Sequence, residues 1–332
     1  MARRSSTITS ADVARVAGVS KWTVIRAFDP GGSIAEETRA NVLKAALELG
    51  YTPNLLARSL ATRRTCQVAL LVDDFGNPYK LPTLERLTAA LQREGMTVTL
   101  LNINESFDHL TALTDARRRQ ADAVVLFGTA FNPGSLETML KGDGPPCYVL
   151  ARDCDAEGIV ALDTDPAPAM ATISAHLLAT GRRLPAFLCG PRTYSTALGR
   201  RRALRDCLAQ QGVALAEIDA GSYEMSSAAR AVRAFFSQSS SSTRPDALVC
   251  ENDILAIGAM EVLRGELGLK VPQDIAVIGF DDIEMGALPS FGLTTWQQPW
   301  AEMVDLLVEY LAGRQPPVSV RLAGQFIRRT SA

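Results

Sequence analysis

The stretch Asp12-Val-Ala-Arg-Val-Ala-Gly-Val-Ser-Lys-Trp-Thr-Val-Ile-Arg26 constrains this chain more than any other. A helical pattern with Val13, Val16 and Ala17 on one face runs up to Gly18, which supplies a tight turn. Thr9 and Asp12 are spaced as a capping box at its start, and Ser20 offers a hydroxyl cap to a second helix. In that second helix Val24 and Ala27 face inward, leaving Lys21, Trp22, Ile25 and Arg26 near the outside. Two short helices joined in this way present one of them to the major groove of DNA. After the loop Asp29-Pro-Gly-Gly-Ser33, a third helix is expected from Ser33 or Ala35. Its apolar face would be Val42, Leu43, Ala46, Leu47 and Leu49, and it would end at Gly50. Tyr51-Thr-Pro-Asn54 breaks the pattern, and Leu55-Leu-Ala-Arg-Ser-Leu60 is too short to be a stable helix unless something packs on it.

Charge separates this head from the rest. Residues 1–64 hold ten Lys/Arg against five Asp/Glu, whereas residues 65–332 hold 24 against 31, inside a formal net charge of −2. A basic head on an acidic body suits a chain in which the head alone meets a polyanion. The six cysteines are scattered without a Cys-x-x-Cys pair, which argues against zinc and against a disulfide framework. No leader pattern opens the chain, and no stretch approaches the roughly 18 apolar residues of a membrane helix, so a cytoplasmic, nucleoid-associated protein is expected. His109 and His176 are the two histidines, and neither has a metal-like spacing. With no phosphate loop, nucleophile elbow or dinucleotide fingerprint, no catalytic residue, metal or cofactor is assigned, and an enzyme is not expected.

From Gln67 the character changes to strands alternating with helices. Strands are expected at Val68–Val72, Thr97–Leu101, Ala123–Phe127 and Cys147–Leu150, with helices at 84–93, 107–119 and 135–141. The alternation restarts at Pro185–Cys189. Helix 199–211, strand 217–219, helix 226–236, strand 247–250, helix 253–266 and strand 275–278 follow. Two such series make an α/β body of two doubly wound parallel-sheet lobes behind a small all-α helix-turn-helix headpiece. Ser237-Gln-Ser-Ser-Ser-Ser-Thr243 reads as an exposed loop.

The whole series resembles the lac-repressor/galactose-repressor family of bacterial transcription regulators. In the head the resemblance rests on Asp12-Val-Ala, Ala17-Gly-Val-Ser20, Thr23-Val, Arg26, Leu49-Gly-Tyr51, Pro53-Asn54, Ala57-Arg58 and Leu60. In the body it rests on Asn77-Pro-Tyr79, Gly181-Arg-Arg183, Glu251-Asn-Asp253, Val271-Pro272, Gly279-Phe-Asp-Asp282 and Leu293-Thr-Thr295. It implies a headpiece at 1–50, a hinge helix and linker at 51–65, and a periplasmic-binding-protein-like body at 66–332. Lobe one would cover about 66–163 plus 294–320, and lobe two 164–293 plus 321–332. This chain departs from the family pattern at Ile25, Asp29, Ala151, Ala167 and Ala203.

The expected DNA contacts are Thr9, Ser20, Lys21, Trp22, Thr23, Arg26, Asn54, Ala57 and Leu60. Arg26 can pair with guanine O6 and N7, and Lys21 can reach guanine or a phosphate. Trp22 either covers thymine methyls or packs back on the domain. Thr9, Ser20 and Thr23 can donate to phosphates. By resemblance, Asn54 belongs to the DNA-facing set, Leu60 wedges into the minor groove and Ala57 meets its floor. One head binds weakly, so a homodimer on pseudo-palindromic double-stranded operator DNA is expected, with no tetramerising leucine heptads after the body.

Ligands of doubly wound lobes bind beyond the carboxyl ends of the strands. The expected effector residues there are Tyr79, Lys80, Arg152, Arg200, Tyr223, Asn252, Asp281 and Gln298. By resemblance, Arg200 and Asp281 clamp sugar hydroxyls and Tyr223 stacks on the ring. Lys80, Arg152 and Arg200 set against one named acid also point to an anionic sugar derivative. The effector would set the angle between lobes, and so decide whether the two Leu55–Leu60 segments of the dimer fold on DNA. The resemblance makes a repressor the default. The competing reading is a small-molecule-binding protein, cytosolic or periplasmic in type, without a DNA role.

Overall fold

The structure is a computed structural model. It describes residues 8–29, 31–53, 59, 64–78, 80–104, 108–128, 144–152, 154, 156–191, 199–240 and 243–332. The chain divides into two compact units, Met1–Thr65 and Cys66–Ala332.

Among its described residues the first unit holds three helices: α1 (Ser10–Ala17), α2 (Lys21–Ala27) and α3 (Glu36–Leu49). Asp12 anchors the start of α1 by accepting from the Thr9 N–H at 3.0 Å and the Thr9 hydroxyl at 2.7 Å. Gly18 adopts φ 66°, a left-handed conformation that other residues rarely adopt, and so ends α1 and aims α2. The Ser20 hydroxyl accepts from the Thr23 N–H at 3.1 Å and caps α2. The core is built from Val13, Ala14, Ala17, Val24, Ala27, Val42, Ala45 and Ala46. Small residues let the helices approach closely, and this turns α1 and α3 differently from the sequence expectation. Val16, Leu43 and Leu47 are exposed, and Ala14 and Ala45 take inward positions.

Arg39 ties the loop after α2 to α3. Its guanidinium donates to the carbonyls of Ala27 at 2.6 Å, Asp29 at 3.1 Å and Gly32 at 2.8 Å. Phe28 and Tyr51 meet edge to face at 5.8 Å.

The second unit holds two parallel sheets. In lobe one, β1 (Gln67–Val72), β2 (Thr97–Asn102), β3 (Ala123–Phe127), β4 (Cys147–Leu150), β5 (Ile159–Thr164) and β11 (Val320–Leu322) pair in the order β11-β5-β4-β3-β1-β2. The helices Lys80–Arg93 and Trp300–Leu311 cover one face through Leu84, Leu87, Leu91, Met303, Val304 and Leu307. Helix His109–Arg118 covers the other face with Ala112, Leu113 and Ala116. In lobe two, β6 (Pro185–Cys189), β7 (Ala216–Asp219), β8 (Ala247–Cys250) and β9 (Ala276–Ile278) pair in the order β7-β6-β8-β9. Helices Pro166–Ala179 and Arg200–Ala209 cover one face, and Met225–Gln238 and Asp253–Gly265 the other. Strands buried on both faces carry the continuous apolar runs that mark them in the sequence.

The chain passes between the lobes at 164–166, 297–300 and 322–325, and the Asp165 N–H donates to the Leu322 carbonyl at 2.9 Å where two passages meet. These crossings differ from the expected lobe boundaries. β10 (Thr295–Gln297) pairs antiparallel with β12 (Gln325–Ile327) and sends Trp296 into the lobe-two core. Arg321 and Leu322 instead pair with β5, and Leu322 is buried in lobe one. β5 itself is absent from the expected strand list, its four apolar residues being cut short by Asp163 and Thr164. The expected helix at 135–141 lies outside the described residues.

Arg39→Ala removes the donor from the Ala27 and Gly32 carbonyls and leaves that of Asp29 with the Gly32 N–H alone. It should lower the stability of the head by about 1–3 kcal/mol. Amide exchange should quicken across α1–α3 with the body unchanged.

Candidate functional site

The outer face of α2 is assembled as the sequence implies. Val24 and Ala27 point into the head core, whereas Lys21, Trp22, Ile25 and Arg26 are exposed, Trp22 to 73%. Trp22 therefore does not pack back on its own domain. The Ser20 and Thr23 hydroxyls lie 2.9 Å apart at the start of α2, beside the open amides of its first turn. The Thr9 hydroxyl is held by Asp12 at the corresponding end of α1. Asn54, Ala57 and Leu60, with most of the Leu55–Leu60 segment, lie outside the described residues.

In the body, Arg152, Arg200, Tyr223, Asn252, Asp281 and Gln298 line one cavity together with Asn77. They come from the carboxyl ends of strands in both lobes. Asn77 and Arg152 follow β1 and β4 of lobe one; Asn252 and Asp281 follow β8 and β9 of lobe two. Gln298 sits on a crossing segment. Its amide donates to Asp281 Oδ1 at 2.5 Å and accepts from the Thr164 hydroxyl at 2.9 Å, so it links lobe two to the end of β5.

Arg200 opens helix Arg200–Ala209, donates to the Glu251 carbonyl at 2.8 Å and lies 3.6 Å over the Phe280 ring. That places a guanidinium fork on an aromatic face, where it is pre-organised for hydrogen bonding. Asn252 caps the helix Asp253–Gly265, its Oδ1 accepting from the Leu255 N–H at 3.0 Å, which leaves its amide donors for other partners. Tyr223 packs directly on Gly190, where any side chain would overlap its ring.

Burial governs the acids here. It pushes the Asp281 carboxyl up to about 7, against the pull of Arg200 and the Gln298 hydrogen bond and with the push of Asp253. Burial also raises the Glu251 carboxyl, opposed first by the hydrogen bond from the Gly190 N–H, which measures 2.6 Å. Asp281 has φ 127° and Asp282 φ 59°, both unfavourable for residues with a Cβ, so the turn that carries the Asp281 carboxylate is strained.

Two expectations change. Lys80 does not line the cavity: its ammonium is buried, bonds to the Asp73 carbonyl and to Asp73 Oδ1 at 2.9 Å, and sits 5.5 Å from the Phe127 ring centroid. An ammonium removed from water must be paired, and Asp73 takes it. Lys80 is therefore no free cation for a ligand. Arg152 and Arg200 face two acids, Asp281 and Glu251, rather than one, and with Lys80 withdrawn the charge argument for an anionic ligand is weaker. Tyr79 lies outside the described residues. Asn77 and Glu251 were not among the expected site residues. Their signal was their place in Asn77-Pro-Tyr79 and Glu251-Asn-Asp253, beside residues already singled out.

Residues 9–54 match the model of bacterial regulatory proteins of the lacI family, and residues 174–332 match that of a periplasmic binding protein-like domain. The transcriptional regulator AscG of Escherichia coli (strain K12) is 30% identical over 97% of this chain and 98% of its own length. The chain belongs to the lacI family. This lacI-family member is a DNA-binding transcriptional regulator with a ligand-binding body. The transcriptional repressor PurR of Yersinia enterocolitica is 29% identical over 96% of the chain and 95% of its own length. Among solved structures, a Lac repressor bound to ONPG shares the fold at a TM-score of 0.82 and 22% identity, over 98% of this chain and 99% of that one. A CelR–cellobiose complex aligns at a TM-score of 0.69 and 26% identity, over 98% and 100% of the two chains. No helix among the described residues is long and apolar enough to cross a membrane.

Because Asp281 titrates higher in the folded than in the unfolded state, its cost to stability appears as pH rises through the window from 3.8 to about 7. Asp281→Asn removes that cost. The variant should stabilise the body on the order of 2–4 kcal/mol at pH 8 and much less at pH 5. Thermal unfolding at the two pH values checks this.

Proposed function

We propose that this regulator is a repressor that binds a pseudo-palindromic operator as a homodimer in the cytoplasm, and that a sugar or sugar derivative in the body cleft controls it. One observation carries the reading of the body. The cavity is lined from both lobes, by Asn77 and Arg152 on one side and Arg200, Tyr223, Asn252 and Asp281 on the other. A ligand touching both sides has different affinity for open and closed arrangements, as an effector requires. The chemistry suits a neutral polyhydroxyl compound. Arg152 and Arg200 supply donor forks, Asp281 accepts from hydroxyls, and Tyr223 provides an aromatic face. The CelR structure that resembles this chain is described as a cellobiose complex, which favours the same ligand class.

On the DNA side, Arg26 and Lys21 read base edges or phosphates, Trp22 covers apolar base surface, and Thr9, Ser20 and Thr23 meet phosphates. Asn54, Ala57 and Leu60 are proposed from the family resemblance to complete the contact at the hinge. Two heads per dimer read two half-sites. A binding protein without a DNA role leaves the exposed Lys21, Trp22, Ile25 and Arg26 face without a use, and the relatives named above are regulators.

Selection of bound DNA from a random pool, with and without a panel of neutral sugars, tests both halves. A palindromic site should emerge. Arg26→Ala should weaken it by about 1–3 kcal/mol per half-site and relax one base position. Sequence-independent binding would overturn the DNA reading. In calorimetry, a sugar that binds the parent should fail to bind Asp281→Ala, and equal binding would misplace the pocket.

A further inference from the structure

Asp253 has no assigned role, yet its carboxylate is wholly buried directly behind the cleft. Its Oδ1 accepts from the Thr295 hydroxyl at 2.6 Å and its Oδ2 from the Ile283 N–H at 2.9 Å, while its own N–H donates to the Phe280 carbonyl at 2.9 Å. Gly279 lies so close to this carboxylate that a Cβ there would overlap it. Between these anchors runs the left-handed pair Asp281–Asp282. Strain of this kind persists where the surroundings over-determine it. Asp282 is itself held by Arg329 at 2.6 Å and Gln297 at 2.8 Å, and the Asp281 N–H donates to the Trp296 carbonyl at 2.8 Å.

We propose that Asp253 is a positioning residue of the effector site, pinning the 281–283 turn that aims Asp281 and tying it through Thr295 to the crossing strand β10. The proposal rests on the reading of Asp281 as an effector residue. A carboxylate suits the task because one group accepts from a backbone donor on the turn and a hydroxyl on the strand at once. A pull on Asp281 by ligand then reaches Thr295, two residues before the passage into lobe one. The charged groups acting on Asp253 are Asp282, on the turn itself, and Arg329, beyond β12; Asp281 and the Cys250 thiol also feel its charge. Burial raises the Asp253 carboxyl to about 6, so opening the turn to water, which relieves the buried charge, becomes easier as pH rises toward that value.

Hydrogen exchange read by mass spectrometry on the full-length, ligand-free protein tests the proposal. In Asp253→Asn and Thr295→Val, peptides spanning 279–285 and 293–297 should exchange about tenfold or more faster, with the β1 and β6 peptides unchanged. Thr295→Ser should restore protection. In the parent, protection of 279–285, corrected for intrinsic exchange, should fall as pH rises from about 4 to about 6, and Asp253→Asn should lose that step. Unchanged exchange at 279–285 overturns the proposal. So does faster exchange across the whole of lobe two, which would mark Asp253 as a general core residue. A pH step that survives in Asp253→Asn would belong to Asp281 and overturns it too. Failure of the effector reading is separate, since it shows as ligand binding that survives Asp281→Ala.

Discussion

A buried carboxylate is costly unless other groups hold it, and in this body the Asp281 carboxylate is held from across the lobe boundary. Gln298 donates to it and in the same amide accepts from Thr164, at the end of a lobe-one strand. Arg200 supplies the opposing charge. The carboxylate that can bind a hydroxyl is thus part of the bonding that joins the lobes. Anything that competes for Asp281 also competes for Gln298, and so acts on the crossing segment. Under the proposed effector reading, binding and conformational change share one hydrogen-bond path, as a ligand-controlled switch needs.

The rest of the cleft follows from topology. Parallel strands bring their carboxyl ends to one edge, and each lobe has such an edge. Asn252 can both cap a helix and line the cavity because its helix starts where β8 stops. The strained turn after β9 is the counterpart on the neighbouring strand. Of its neighbours, Asp253 and Gln297 lie in the same passage through lobe two, whereas Arg329 arrives only after the chain has crossed to lobe one and returned.

Lys80 shows the limit of reading charges from a list. In the sequence it stands directly after Asn77-Pro-Tyr79 and looks available. In the fold it is sealed against Asp73 and Phe127, so a cation in the composition is absent from the cleft. The head teaches the same lesson with apolar residues. Leu43 and Leu47 fit a helical stripe, yet Ala45 and Ala46 occupy the core because close helix approach favours small side chains there.

The sequence alone determined the kind of protein. Local signals of turn, cap and period settle the three short helices and the strand–helix alternation, because each depends on residues within a few positions of one another. The same signals marked Arg152, Arg200, Tyr223, Asn252, Asp281 and Gln298, since ligand positions in this architecture lie just beyond strand ends. Tertiary structure alone decided which candidates face the cavity, that Asn77 joins them while Glu251 holds Arg200 from behind, and where the chain changes lobes. Those outcomes depend on pairing between residues far apart in the chain, such as Thr164 with Gln298 and Asp282 with Arg329. No local pattern encodes which distant partner will neutralise a charge or satisfy a donor.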